Sequence, residues 1–207
     1  VIDENLDTLF FRPKRSGTGI VLPGLRSIIL GFMYFSIEYR VNRGTYIPQF
    51  FDQAYDLNKI TIISNDVSSI ATTKDMNVFK GYNDSWTSSG VFGSATFNLF
   101  KIIDFSASYA NMKADSVKIN SFNTLINIDT ENIPKISAAS AFYRRNNDKN
   151  PFDFENPSEN TIMGYRVGYE ISKYLSIIYE YKEFYRYDGS GELLPQKQTK
   201  IETLINF

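Results

Sequence analysis

The sequence predicts an all-β fold of antiparallel strands, and two observations support this prediction. Apolar and polar residues alternate one by one through much of the chain. Over residues 33–41, for example, Met, Phe, Ile, Tyr and Val occupy one parity, and Tyr, Ser, Glu and Arg occupy the other. This period of two is typical of a strand with one apolar and one polar face. The 14 Tyr and 17 Phe residues also favour strands by propensity.

The alternating segments predict about ten strands, with eight to fourteen compatible with the pattern. They are expected at residues 27–41, 56–67, 74–84, 88–98, 102–115, 117–130, 136–146, 161–172, 174–187 and 197–207. The segment 161–172 alternates most clearly, whereas 56–67 and 74–84 alternate poorly. Residues 1–26 contain Pro13 and Pro23, and they are predicted to be an irregular N-terminal leader, a plug or one more hairpin. A barrel domain is expected over residues 27–207.

The connections between these segments differ in length in a regular way. Tight turns are predicted at 98–101, 131–135 and 171–174. Long polar connections are predicted at 42–55, 81–89, 146–160 and 188–197. Short turns at one end and long loops at the other are typical of an up-and-down antiparallel transmembrane β-barrel. An even number of strands would put both chain ends on the side of the short turns.

Composition excludes several functional classes. The chain has 207 residues, no His and no Cys, so serine–histidine catalysis, thiol nucleophiles, disulfides and histidine metal sites are excluded. The net charge of −1 argues against a nucleic-acid partner. No stretch approaches the ~18–20 apolar residues of a transmembrane helix. We therefore expect no catalytic residues, no cofactor and no metal. Asp148, Asp153 and Glu155 lie in one loop and could bind Ca²⁺ through their oxygen atoms, but their spacing does not match that of an EF-hand loop.

Alternation alone does not decide which face meets lipid. A soluble barrel buries its apolar parity, whereas a membrane barrel turns that parity outward. The apolar parity here is rich in Tyr, whose hydroxyls need partners when buried but reach water at a membrane interface. The predicted membrane-facing residues are Phe35, Tyr39, Tyr165, Tyr169, Tyr179, Tyr181, Ile205 and Phe207. The predicted lumen-lining residues are Glu38, Arg40, Arg166, Glu170, Glu180, Lys182, Arg186, Lys200 and Glu202.

The lumen-lining charges allow two interpretations. They could select solutes, or they could neutralise one another and fill a narrow barrel. The second interpretation is favoured, because wide aqueous channels need about 16–18 strands.

The end of the chain adds a resemblance to a known class. Residues 199–207 alternate and end on Phe207, which resembles the C-terminal signal strand of Gram-negative outer-membrane β-barrel proteins. Residues 97–101 are similar to periplasmic turns in such barrels from the Bacteroidota. Thr199 and Thr203 depart from the pattern by diluting the apolar parity. The resemblance implies a Gram-negative outer membrane, with the lipid bilayer and the barrel-assembly machinery as partners.

The expected function is therefore non-enzymatic. The chain would be a structural subunit of an envelope assembly, with protein partners in that complex, or a narrow small-solute pore. The pore function is more strongly indicated if the chain is the C-terminal part of a larger barrel. The alternative is a secreted all-β adhesion or carbohydrate-binding module, which would bury its Tyr-rich face.

Overall fold

The computed structural model describes residues 16–44, 46, 60–65, 68–73, 87–114, 117–188 and 190–205. These residues form β-strands and connections, with no helix among them. The strands are β1 (Gly17–Ile29), β2 (Met33–Gly44), β3 (Ile60–Asn65), β4 (Ser68–Thr73), β5 (Thr87–Leu99), β6 (Ile103–Ala114), β7 (Val117–Ile128), β8 (Ile136–Asp148), β9 (Thr161–Ser172), β10 (Leu175–Tyr187) and β11 (Leu193–Ile205). The all-β prediction is confirmed. The described part of the chain contains no helix long and apolar enough to cross a membrane.

Nine of the strands form one antiparallel sheet. Their order is β1-β2-β5-β6-β7-β8-β9-β10-β11, so neighbours in the sheet follow one another along the chain. Strand β2 pairs directly with β5, and the hairpin β3–β4 between them forms a separate two-stranded sheet. The up-and-down arrangement is confirmed, because every pair in the large sheet is antiparallel.

The first strand departs from the prediction. Residues 17–26, expected to be irregular, belong to β1, which pairs with β2 as a hairpin. The predicted single strand 27–41 is wrong, because Leu30 and Gly31 adopt positive φ angles of 53° and 73° and turn the chain there. The hairpin had been one of the alternatives for this segment.

A bulge explains why β1 does not alternate in sequence. The register with β2 shifts between Leu22 and Leu25, and Pro23 and Gly24 lie at that shift. A bulge inserts extra residues into one strand and changes which parity faces which side. Among the described residues, β1 pairs only with β2, and proline is tolerated on such an edge strand because fewer of its ladder hydrogen bonds are used.

Most other predicted strands lie within a few residues of the observed ones. The predicted strand 56–67 overlaps β3, but β3 pairs with β4 and not with the large sheet. The predicted strand 74–84 lies outside the described residues, as does Phe207. The last strand begins at Leu193 and not at residue 197, so the connection that precedes it is shorter than expected.

The two ends of the large sheet differ in their connections. At one end, here called the turn end, lie residues 30–32, 100–102, 129–135 and 173–174. At the other, the loop end, β2, β6, β8 and β10 end and β5, β7, β9 and β11 begin, and residues 149–160 connect β8 to β9 there. The expectation that both chain ends lie at the turn end stays a prediction, because residues 1–15 and 206–207 are outside the described part of the chain. Because the sheet has nine strands, β1 starts at the loop end and β11 finishes at the turn end, so β1 and β11 run in the same direction.

The pairing register sorts the side chains of the sheet onto two faces. One, here called the charged face, carries all nine residues predicted to line a lumen. The other, the aromatic face, carries the predicted membrane-facing residues from Phe35 to Ile205. The charged face is the less exposed one around Glu38, which is 9% exposed, whereas its neighbour Tyr39 is 42% exposed.

Glycines on the charged face mark where the sheet bends. A Cβ atom at Gly90 would lie 2.0 Å from the carbonyl oxygen of Asn111, and one at Gly164 would lie 2.4 Å from the carbonyl oxygen of Tyr181. Both backbone oxygens belong to the neighbouring strand. That strand therefore folds toward the charged face at these positions, as at the corner of a barrel.

Gly90→Ala is expected to destabilise the fold by about 1–3 kcal/mol, because the added methyl group displaces the backbone of β6. Gly93→Ala on the same strand is the matched control. Its Cβ would face the aromatic side, 3.7 Å from the nearest atom, the carbonyl oxygen of Ser36. The control is expected to change the free energy of unfolding by less than about 0.5 kcal/mol. Urea denaturation of both variants measures the difference, and equal stabilities would contradict the bend.

Candidate functional site

The first ionic group on the charged face lies on β1, β2 and β5. The carboxylate of Glu38 accepts hydrogen bonds from Arg26 Nη2 at 3.1 Å and from Arg40 Nη2 at 3.0 Å, one on each oxygen. The guanidinium of Arg40 also stacks 3.5 Å above the ring of Phe92, the residue directly opposite Glu38. Each oxygen of the Glu38 carboxylate is therefore paired with an arginine.

The second ionic group lies on β9, β10 and β11. Arg166 Nη2 lies 3.1 Å from Glu202 Oε2, and Lys200 binds the other oxygen of the same carboxylate. Lys182 Nζ lies 2.6 Å from Glu180 Oε1 on its own strand. Arg166 thus pairs with a carboxylate of the third strand, although Glu180 lies directly opposite it on β10.

The remaining predicted charges lie apart from these two groups. Glu170 lies toward the turn end of β9, and Arg186 lies toward the loop end of β10, where its guanidinium is 5.1 Å from the ring of Phe184. Between the two ionic groups, β5 to β7 present small neutral side chains such as Ser94, Ser108 and Asn123. The predicted lumen-lining charges therefore lie on β2 and on β9 to β11, and the charged face also carries Asp104 on β6 and Arg144 on β8.

Every carboxylate of the two ionic groups is paired, and each group keeps a net charge of +1, from two cations and one carboxylate in the first and three cations and two carboxylates in the second. Glu38, Glu180 and Glu202 each contact at least one cation. Such pairing fixes side chains across several strands. Arg26 was missed in the sequence because it lies in the segment predicted to be irregular. Arg26 shares its parity with Ile28, but alternation alone does not show which face of the sheet that parity occupies.

Stacked rings characterise the aromatic face on β9 and β10. The rings of Tyr165 and Tyr181 stack with centroids 5.3 Å apart. The hydroxyls of Tyr181 and Tyr185 each donate to the carboxylate of Glu183 at 2.7 Å. Sequence analysis did not select Glu183, although its odd parity puts it on the aromatic face beside these phenols.

The long connection after β8 folds over the aromatic face at the loop end. This segment, residues 149–160, is here called the rim loop. The ring of Phe152 lies 4.7 Å from that of Phe122 and 5.2 Å from that of Tyr109, and Phe154 lies 5.1 Å from Tyr143. The rim loop therefore packs against the aromatic face of β6–β8.

A buried arginine holds the rim loop in place. Arg145, on the aromatic face of β8, is 5% exposed. Its Nε donates to Asp148 Oδ2 at 2.8 Å, and its Nη1 donates to the carbonyl oxygens of Asp153 at 2.5 Å and Asn156 at 3.0 Å. One side chain thus satisfies backbone carbonyls at two points of the loop, which would otherwise lack partners.

Asp148 and Asp153 accept hydrogen bonds from residues of the same region of the chain. Asp148 also accepts from the hydroxyl of Ser158 and from the amide of Asn150. Asp153 accepts from the amide and side chain of Asn156. No group of three carboxylates that could hold a metal ion occurs among the described residues.

The rim loop is expected to loosen at low pH. Burial acts to raise the pKa of Asp148, but hydrogen bonds from Arg145, Ser158 and Asn150 outweigh it and hold the pKa below its usual value. A carboxylate with a lowered folded pKa stabilises the structure above its unfolded pKa, about 3.9. That stability is lost as the pH falls through the lowered pKa.

The NMR shift of the Asn150 amide should report this transition below about pH 4. Asp148→Asn should abolish it. Asp188→Asn should leave it in place, although the pKa of Asp188 is also lowered, chiefly by the hydroxyl of Ser190. A transition that survives in Asp148→Asn would assign it to another group.

Comparison of the chain with models of protein families finds no match, and no curated protein or solved structure matches it either.

Proposed function

We propose that the chain is a non-enzymatic, integral outer-membrane β-barrel protein of a Gram-negative bacterium, with its aromatic face toward lipid and its charged face toward the lumen. The observation that carries the proposal is the reversed distribution of polarity. The sheet exposes Tyr39, Tyr165 and Ile201 and shelters Glu38 and Arg40, whose side chains are 11% and 23% exposed, although their partner Arg26 is 80% exposed. In water this arrangement would leave a broad apolar surface exposed, which soluble monomers avoid.

The bends at Gly90 and Gly164 support closure of the sheet around the charged face. Direct pairing of β1 with β11 would be parallel, because the two strands run in the same direction. Bacterial single-chain outer-membrane barrels use antiparallel strands in even number. The proposed barrel therefore contains at least one further strand between β1 and β11, running opposite to both, which agrees with the expected count of about ten.

Within this proposal a structural subunit of an envelope assembly is favoured over a small-solute pore. The carboxylates of Glu38 and Glu202 are each paired with two cations on the charged face. A barrel of about ten strands has little room left after side chains fill it. The barrel-assembly machinery and a protein of the envelope complex are the partners that this role requires.

Membrane partition of the full chain tests the proposal. Retention in the carbonate-washed membrane pellet, with a faster band in detergent gels when the sample is not boiled, is the expected result. A chain that stays soluble without detergent and shows no shift on heating would overturn the proposal. That outcome would favour the secreted adhesion or carbohydrate-binding module, in which a second layer covers the aromatic face.

A further inference from the structure

Three basic side chains lie on the aromatic face near the loop end, each at the same distance in sequence from an aromatic residue of its own strand. On three strands an outward-facing ring is followed, four residues nearer the loop end, by an exposed cation. The pairs are Tyr39 and Arg43 on β2, Tyr109 and Lys113 on β6, and Phe122 and Lys118 on β7. Arg43, Lys113 and Lys118 are here called the basic patch.

Among the described residues, the cations of the basic patch lack carboxylate partners, whereas the cations of the two ionic groups have them. Lys113 and Lys118 are directly opposite each other on neighbouring strands, and Arg43 is opposite Thr87 on the adjoining strand β5. None of the three cations has an ion pair within the described part of the chain. Like charges in directly opposed positions are destabilising in a sheet. An anion bound between them would remove that cost.

The rim loop does not supply this anion. It begins beside the patch, because Asn120, two residues from Lys118, donates to the carbonyl oxygen of Lys149 at 2.8 Å. Lys149 adds a further exposed cation there. Asp148, the carboxylate next to Lys149 in sequence, is bound to Arg145 and Ser158. Asp115, which lies between Lys113 and Lys118 in sequence, is outside the described residues.

We propose that the basic patch binds the phosphate groups of lipid headgroups in the membrane leaflet at the loop end. This inference rests on the proposed membrane barrel. Aromatic rings mark the headgroup level in such barrels. Of the three rings, Tyr39 is exposed, whereas Tyr109 and Phe122 contact Phe152 of the rim loop. Four residues of strand advance about 13 Å, or about 10 Å along the membrane normal at a tilt of 35–45°. The cations therefore reach the layer of lipid phosphates that lies just outside the rings.

Binding to lipid phosphate can be measured on the folded full chain. The probe is phosphatidic acid, mixed at increasing fractions into zwitterionic detergent micelles, and the readout is the temperature at which the fast-migrating band is lost. Wild-type protein should gain thermal stability as the fraction of phosphatidic acid rises. Each of R43Q, K113Q and K118Q should weaken the apparent affinity about fivefold, and the triple variant about a hundredfold.

A matched control removes the same charge at the opposite end. The variant K101Q/K135Q/K173Q changes three exposed lysines in the turns of the turn end. It should change the apparent affinity for phosphatidic acid by less than about twofold, because those lysines lie at the turn end, away from the basic patch. Equal losses in the two triple variants would overturn the proposal in favour of unspecific charge attraction.

A charge reversal gives a test with opposite signs. K118E converts the repelling pair with Lys113 into an attracting one, so it should unfold at a higher temperature than wild type in purely zwitterionic micelles. The same variant should lose the stabilisation by phosphatidic acid. If K118E keeps that stabilisation, the basic patch is not the binding site.

Two further outcomes separate this proposal from its alternatives. Inorganic phosphate at the same concentration should stabilise the protein far less than phosphatidic acid. Equal stabilisation would indicate a site for a dissolved anion and overturn the lipid assignment. A wild-type chain without any heat-modifiable band would refute the membrane barrel itself, whereas a heat-modifiable barrel indifferent to phosphatidic acid would refute only the headgroup site.

Discussion

Arg145→Met is expected to lower the free energy of unfolding by about 3–5 kcal/mol. The side chains of Arg145 and Asp148 are only 6% and 10% exposed, so the salt bridge between them is shielded from water. Removing the guanidinium leaves the Asp148 carboxylate without its cation and the carbonyl oxygens of Asp153 and Asn156 without a donor. Urea denaturation followed by loss of the fast-migrating band measures the effect.

Two companion variants define what Arg145 contributes. Lys149→Met changes a neighbouring exposed cation and should alter stability by less than about 0.5 kcal/mol. Asp148→Leu added to Arg145→Met removes the stranded carboxylate and should recover part of the loss, as buried ion pairs replaced together often do. If Arg145→Met costs no more than Lys149→Met, Arg145 does not hold the rim loop.

Val167→Arg is expected to cost about 2–4 kcal/mol in a membrane barrel, if the residue lies near the bilayer midplane. Val167 lies on the aromatic face of β9, between Tyr165 and Tyr169. It is 43% exposed, so the same substitution in a soluble protein would meet water and change stability little. Refolding into lipid vesicles, followed by urea titration of the fast-migrating band, measures the difference.

The control for Val167→Arg is Val167→Leu, which keeps the residue apolar while enlarging it. The leucine variant should stay within about 1.5 kcal/mol of wild type, as apolar exchanges of similar volume do. Near-neutral behaviour of both variants would argue against lipid on this face. A large loss in both would indicate that Val167 is packed against protein.

The two faces of the sheet could be predicted from the sequence, whereas their contacts could not. Parity depends only on neighbouring residues, so Glu38 and Tyr39 were assigned to opposite faces from the alternation alone. The partner of Glu38 depends on the register of β1, which shifts between Leu22 and Leu25. Arg26 lies between this shift and the turn at residues 30–32, opposite Ser36, so its approach to Glu38 depends on a hairpin that the alternation of residues 27–41 does not reveal.

The rim loop shows a second limit of sequence analysis. Arg144 and Arg145 are adjacent and chemically equal, but they lie on opposite faces of β8. Which of the two is buried depends on where residues 149–160 fold, and that fold is fixed by long-range ring contacts of Phe152 and Phe154. Similarly, Arg166 pairs with Glu202 because β11 is its neighbour but one, a contact that hairpin spacing does not suggest.

The shared direction of β1 and β11 has a consequence for neighbouring molecules. In a membrane where all copies insert the same way up, every free edge of every copy runs in the same sense. Two such copies that meet edge to edge could form only parallel ladders, never the antiparallel ladders that build the sheet itself. For the proposed barrel, this means that copies that meet in the bilayer before closure cannot join through antiparallel pairing, whereas a strand of opposite sense could pair with both β1 and β11 of one copy.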